Sequence, residues 1–261
     1  VVSRDGLVLT SHHCIVDCAQ ALSTARSDLV VDGFVASSRN EERICPGLET
    51  SILQSIEDVT ERVRGAGDGD ARQGEIGRIE EEACGDDRTK HCEVVTLYRG
   101  GQYKLYTYDR YDDVRLAFAP EQQAAFFGGD PDNFNYPRYA IDMALIRLYR
   151  EGERVRFSTP LRLDADGVED GELVFVSGHP GSTNRLLTMS QLDFQRDHYL
   201  PWRVEYLAQI RGSLVTAANI GEEEQRQVRE ALFGVENSVK VFKGQRRALV
   251  EPAFYGRLAA A

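Results

Sequence analysis

The chain has 261 residues, 42% of them hydrophobic and 9% aromatic, which is enough apolar material to bury a core in one large domain or two small ones. Its 31 Lys and Arg against 42 Asp and Glu give a formal net charge of -11, and no segment clusters the basic side chains that phosphate binding needs, which argues against a nucleic-acid partner. No stretch reaches the roughly 18 consecutive apolar residues of a membrane span.

The chain opens on Val1-Val2-Ser3-Arg4-Asp5-Gly6, with neither an initiating Met nor a basic-then-apolar leader, so further residues are expected upstream. Gly6-Leu7-Val8-Leu9-Thr10 is a β-rich run that ends at the polar cluster Ser11-His12-His13-Cys14. From Ser51 to Ala83, Ile52, Leu53, Ile56, Val59 and Val63 recur at three and four residues among Glu and Arg, the spacing of an amphipathic helix. The Gly-bearing stretch 65–74 reads as an exposed loop between helical pieces. Cys92–Tyr98 and Tyr103–Tyr108 around Arg99-Gly100-Gly101 predict a hairpin. Met143–Tyr149 and Glu172–Ser177 predict two more strands. Beyond Tyr199 the composition turns to Glu, Gln, Arg, Ala and Leu with few turn residues, which predicts a separate helical segment over 203–249. The acidic run Glu222-Glu223-Glu224 is most simply a solvated helix start.

Five cysteines, at 14, 18, 45, 84 and 92, lack the paired spacing of a zinc site, and no His cluster completes one; neither a metal nor a cofactor is expected. Disulfides are the better reading, with Cys84 and Cys92 bracketing a short polar loop and the odd count leaving at least one thiol without an internal partner. This favours an oxidising, exported compartment.

A histidine that takes a proton from a serine hydroxyl must be held on a rigid element and oriented by a carboxylate, and the end of a strand suits that role. Taken alone, His12-His13 is equally readable as a surface or metal-binding pair, and Asp142 before Met143-Ala144-Leu145-Ile146 as an inert strand-entry residue. The run Gly128–Tyr139 is too rich in Gly, Pro, Asp and Asn for an element interior. It reads either as an Asx-turn loop or as a loop facing a substrate. His179, in Ser177-Gly178-His179-Pro180-Gly181, reads as a turn residue rather than a second base.

Thr10-Ser11-His12-His13-Cys14 resembles the T-A-A-H-C segment around the catalytic His of chymotrypsin-like peptidases, with His13 as the matching residue, and Asp142-Met143-Ala144-Leu145 has the form of their aspartate segment. Gly128-Gly129-Asp130-Pro131-Asp132-Asn133-Phe134-Asn135-Tyr136-Pro137-Arg138 resembles the signature of the bacterial dipeptidyl-peptidase 7 and 11 family, serine peptidase family 46. Cys45–Glu49, Val176–Arg185 and Leu232–Lys240 are similar to further segments of that family in the same order.

The resemblance implies a mixed β and α fold: the N-terminal part of a trypsin-like β-barrel domain over 1–200, with a helical excursion at 51–83, and the start of an α-helical cap over 201–261. It implies removal of dipeptides from free peptide N-termini. His13 would be general base and acid, and Asp142 its orienter. Asn133 would hold the substrate ammonium, and Phe134, where several relatives have Trp, would wall the pocket. It further implies a periplasmic or extracellular bacterial protein, and a homodimer of the complete protein is compatible with it.

No Gly-x-Ser-Gly segment occurs in the 261 residues, so the nucleophile is absent from this chain, which is expected to be inactive by itself. Two other readings stand beside this one: a trypsin-like endopeptidase, and a non-catalytic peptide-binding remnant.

Overall fold

The structure is a computed structural model that describes residues 1–24, 26–125, 133–164, 166–175 and 187–260. Strand β1 (Leu7–Thr10) leads into a 3-10 turn (His12–Cys14) and helices α1 (Val16–Leu22) and α2 (Leu29–Asp32). Strands β2 (Phe34–Val35), β3 (Arg43–Ile44) and β4 (Thr50–Asp58) precede α3 (Thr60–Gly65) and α4 (Asp70–Cys84). Then come β5 (Lys90–Leu97), β6 (Gln102–Tyr111), β7 (Asp113–Ala119), the short α5 (Gln122–Ala125), β8 (Ala144–Arg150) and β9 (Glu153–Arg154). Residues 155–164 and 166–175 are irregular, and helices follow from Met189: α6 (Met189–Phe194), a π turn (Gln195–Tyr199), α7 (Leu200–Ala218), α8 (Glu222–Val250) and α9 (Pro252–Ala260). Two compact units interleave along the chain, one from Val1–Thr10, Phe34–Ala119 and Ala144–Arg162, the other from Ser11–Gly33, Pro120–Met143 and Leu163–Ala261.

The first unit holds two antiparallel sheets. In the larger, the strands run β1-β8-β7-β2, with β3 on β7 and β9 on β8. Strict alternation puts Ala144, Ile146 and Leu148 of β8 and Val114 and Leu116 of β7 into its core. A bulge at Ala117 then shifts the parity, so that Ala119 rather than Phe118 is buried. Among the described residues this sheet is open, without the closure of a barrel.

The smaller sheet, β4-β6-β5, contains the predicted hairpin and is covered on one face by α3 and α4 through Val63, Ile79, Tyr103 and Leu105. Cys84 and Cys92 form the expected disulfide and tie the end of α4 to β5. The helix expected from Ser51 is a strand as far as Asp58, and helix begins only at Thr60. A bulge explains the misleading spacing: Leu53 faces Tyr108 and Ser55 faces Thr107, so the extra residue Gln54 puts Leu53 and Ile56 on one sheet face three residues apart. The expected 65–74 loop shrinks to four residues between α3 and α4.

The strand expected over Glu172–Ser177 is likewise not formed in its described part. Leu173, Val174 and Phe175 are exposed and have no strand partner there, and β-rich composition makes no strand without a neighbour to pair with. Residues 176 and 177 lie outside the described residues, as do the Ser177–Gly181 turn with His179 and the rest of the Val176–Arg185 segment.

In the second unit, α7 and α8 form a helical hairpin joined at Asn219-Ile220-Gly221, as the composition beyond Tyr199 predicts. Leu200, Leu207, Val239 and Leu249 are buried in it, and Arg211 bridges to Glu236 across the pair at 2.8 Å. The three glutamates 222–224 open α8, where the helix dipole favours negative charge. Asp28 caps α2 by accepting from the Val30 and Val31 N–H groups and also accepts from Arg229 of α8 at 2.9 Å.

Among the described residues, Glu42 and Arg147 form a buried ion pair at the larger sheet. The Glu42 carboxylate, 3% exposed, accepts from Arg147 Nε at 2.7 Å and from the Tyr149 hydroxyl at 2.8 Å. Glu42→Ala strands both donors, and we predict a loss of about 3–5 kcal/mol of unfolding free energy, read as a lower urea midpoint at unchanged m-value. A loss below about 1 kcal/mol would mean that water replaces the carboxylate there.

Candidate active site

β1 and β8 are antiparallel neighbours with Thr10 opposite Ala144. His13 follows Thr10 by three residues and Asp142 precedes Ala144 by two, so one strand pairing tethers both chain segments. The Asp142 carboxylate then grips His13 twice. Oδ1 accepts from the His13 backbone N–H at 3.0 Å, and Oδ2 lies 2.6 Å from Nδ1.

An ionised carboxylate only accepts, so the proton between them sits on Nδ1 and the Nε2 lone pair is the basic one. The backbone contact fixes the 3-10 turn and the ring contact fixes the tautomer. With 40% of its side chain exposed, His13 is an imidazole held in orientation at a surface rather than a packed core histidine.

His12, the other member of the pair, is buried, and its Nε2 finds no hydrogen-bond partner among the described residues. Burial lowers its pKa below the ordinary 6.5; the Asp142 charge opposes that shift and His13 adds to it. The two histidines are therefore divided by environment, one neutral and enclosed, the other exposed and paired. Cys14, next in the chain, is a free and exposed thiol, in keeping with the odd cysteine count.

The signature loop is described from Asn133 onward. Asn133 is buried, its Nδ2 donating to Asn237 Oδ1 at 2.7 Å and its Oδ1 accepting from Arg138 Nη1 at 2.9 Å. Phe134, 61% exposed, sits at φ 64, a left-handed conformation that an aromatic residue adopts only where its surroundings impose it. Asn133, Phe134 and Asn135 line a hollow of about 470 Å³ with Lys240, Val241 and Gly244 of α8. The sequence singled out Asn133 and Phe134 and, separately, the Leu232–Lys240 segment that holds Asn237 and Lys240, but no spacing joined the two. Only the fold brings α8 to this loop.

The whole chain, residues 1–261, matches the Peptidase S46 family. It belongs to that family. Dipeptidyl-peptidase 7 of Phocaeicola vulgatus is 33% identical over 225 residues, 76% of this chain and 30% of the relative. The Asp/Glu-specific dipeptidyl-peptidase of Shewanella putrefaciens is 32% identical over 221 residues, 77% of this chain and 30% of the relative. The crystal structure of Porphyromonas endodontalis DPP11 with the dipeptide Arg-Asp superposes with a TM-score of 0.86 at 25% identity, covering 97% of this chain and 40% of that one. This S46 chain thus spans about a third of the length of such relatives, and its mixed α/β architecture of antiparallel sheets and helices matches that of the DPP11 structure.

The enclosed His12 has a measurable consequence. Because its folded-state pKa lies below the unfolded value of 6.5, the stability tied to its neutral form is present above that pH and is lost as pH falls through the folded value. In a ¹H–¹⁵N titration His12 should protonate below pH 6.5, and a His12→Phe variant should lose less stability on acidification than the wild type. A His12 resonance that titrates at or above 6.5 would contradict its enclosure.

Proposed function

We propose that this chain is the N-terminal portion of a serine-type dipeptidyl-peptidase that releases dipeptides from the free N-termini of peptides. The observation that carries the reading is the His13–Asp142 pair, with Nδ1 held at 2.6 Å. It is the geometry of a general base whose tautomer is fixed and whose imidazolium is stabilised by a neighbouring carboxylate. Relatives named as dipeptidyl-peptidases, and a structural neighbour holding a dipeptide, support the substrate class.

In this reading His13 takes the proton of a serine hydroxyl as the oxygen attacks the scissile carbonyl, then delivers it to the leaving amine. Asp142 stays ionised throughout. The serine is supplied by polypeptide outside these 261 residues, and these residues alone release no product. Asn133 anchors the substrate ammonium, with Phe134 as a pocket wall. In the same reading the six-stranded sheet is the N-terminal part of a trypsin-like β-barrel domain over 1–200, and the helices from 201 begin the cap. Export to an oxidising compartment fits the Cys84–Cys92 disulfide.

The full-length protein should hydrolyse dipeptidyl chromogenic substrates with a free amine and leave their N-acetylated counterparts intact. Asp142→Asn should lower kcat by about 10⁴-fold, the penalty of a wrong tautomer in an intact triad. Equal turnover of acetylated and free substrates would point to an endopeptidase, and undiminished turnover in His13→Ala would remove the dyad from the mechanism.

A further inference from the structure

Arg39, Arg115, Arg147, Arg154 and Arg156 are scattered along the sequence, and the first unit gathers them. The pairing of β7 with β8 sets Arg115 directly opposite Arg147, a like-charge juxtaposition that costs stability unless other groups offset it. At the next turn Glu151 and Gly152 both take left-handed backbone, at φ 54 and 79, and β9 returns along β8 with Arg154 opposite Tyr149. Carboxylates offset the crowding. Arg147 is held by Glu42, and Arg115 donates twice to Asp113 at 2.8 Å while its guanidinium lies 3.7 Å from the centre of the Tyr149 ring.

Asp5 carries more than its share. Its Oδ2 accepts from Arg39 Nη2 at 2.9 Å and from Arg154 Nη1 at 2.8 Å, and its Oδ1 accepts from Arg156. One negative charge thus serves three positive ones, in a chain whose formal net charge is -11. The surplus faces a hollow of about 390 Å³ lined by Arg39, Asn40, Arg115, Tyr149, Glu153 and Arg154. A guanidinium has five N–H donors and no acceptor. Arg39 and Arg154 each use one on Asp5 and Arg115 uses two on Asp113, so most of their donors have no protein partner among the described residues.

We propose that this hollow binds a phosphate-class dianion, as inorganic phosphate or as a phosphate monoester. The lining donors come from three separate elements: a 3-10 turn (Arg39–Glu41), β7 and β9. A tetrahedral oxyanion has several oxygens to share among such donors, whereas a carboxylate is satisfied by one planar fork, and the fork of Arg115 is already taken by Asp113. The surplus at Asp5 favours two negative charges over one. Opposing this, the exposed Glu153 puts a carboxylate on the same hollow. Two surplus cations against one carboxylate leave a net attraction, and removing that carboxylate should strengthen it. None of these residues belongs to the candidate active site, so the inference stands or falls apart from the proposed function.

The test is calorimetric titration of the full-length protein with sodium phosphate at about pH 8, where phosphate is mainly a dianion, at an ionic strength held constant with chloride. Wild type should bind phosphate at least about tenfold more tightly than acetate. R39Q and R154Q should each weaken phosphate by about tenfold or more, the loss of a charged hydrogen bond. E153Q should tighten it by about threefold. If R154Q fails to fold, R39Q and E153Q, both at exposed positions, carry the comparison with opposite signs. Glycerol phosphate in solution and phosphatidic acid in phosphatidylcholine vesicles then separate the sources. Capture by the doped vesicles that free phosphate displaces assigns a lipid headgroup, and binding in solution without vesicle capture assigns a soluble ester or free phosphate. No heat with phosphate in wild type, equal affinity for acetate, or unchanged binding in folded R39Q and R154Q overturns the site. Weaker binding in E153Q overturns it too.

Discussion

The ladder between β1 and β8 is the constraint on which the candidate site depends. Four residue pairs, from Leu7 with Arg147 to Thr10 with Ala144, close the excursion that begins at Ser11 and ends at Met143. Closing so long a loop costs chain entropy, but the cost grows only logarithmically with length. The buried alternation of Ala144, Ile146 and Leu148 offsets it by placing three side chains of β8 in the core. Once the strand ends are paired, His13 and Asp142 need only the two contacts of one carboxylate to become a dyad. The His13–Asp142 pair therefore follows in the chain from a ladder whose register a one-residue slip would destroy.

Polarity rather than shape governs the second part of the site. Asn133, Asn237 and Arg138 are joined by two hydrogen bonds, with Asn237 Oδ1 accepting from Asn133 and Asn133 Oδ1 accepting from Arg138. Buried polar chains of this kind specify a single arrangement because each alternative leaves a donor facing a donor. The same reasoning fixes the proton on His13 Nδ1, where the acceptor-only carboxylate of Asp142 plays the opposite part.

Much of this was legible in the sequence. The His13 and Asp142 segments, the 90–111 hairpin, the Cys84–Cys92 staple and the long helices beyond residue 200 each carry a local signal that the fold respects. What escaped was non-local or irregular. The bulge at Gln54 disguised a strand as a helix because one extra residue converts alternation into a spacing of three. Leu173, Val174 and Phe175 looked like a strand because propensity says nothing of whether a neighbouring strand is at hand. Asn237 sits on a helix over a hundred residues from Asn133, and no spacing rule connects them.

The neighbourhood of Cys14 bears on how the protein would be classified at the bench. An exposed thiol directly follows His13 in the 3-10 turn. Alkylating reagents are commonly used to sort peptidases by nucleophile, and sensitivity to them is taken as the mark of a cysteine enzyme. Under the proposed function, an adduct on Cys14 would sit one residue from the proposed base and not on the nucleophile, and the inhibitor profile would name the wrong mechanistic class. Exchanging Cys14 for serine before such profiling separates steric obstruction from chemistry.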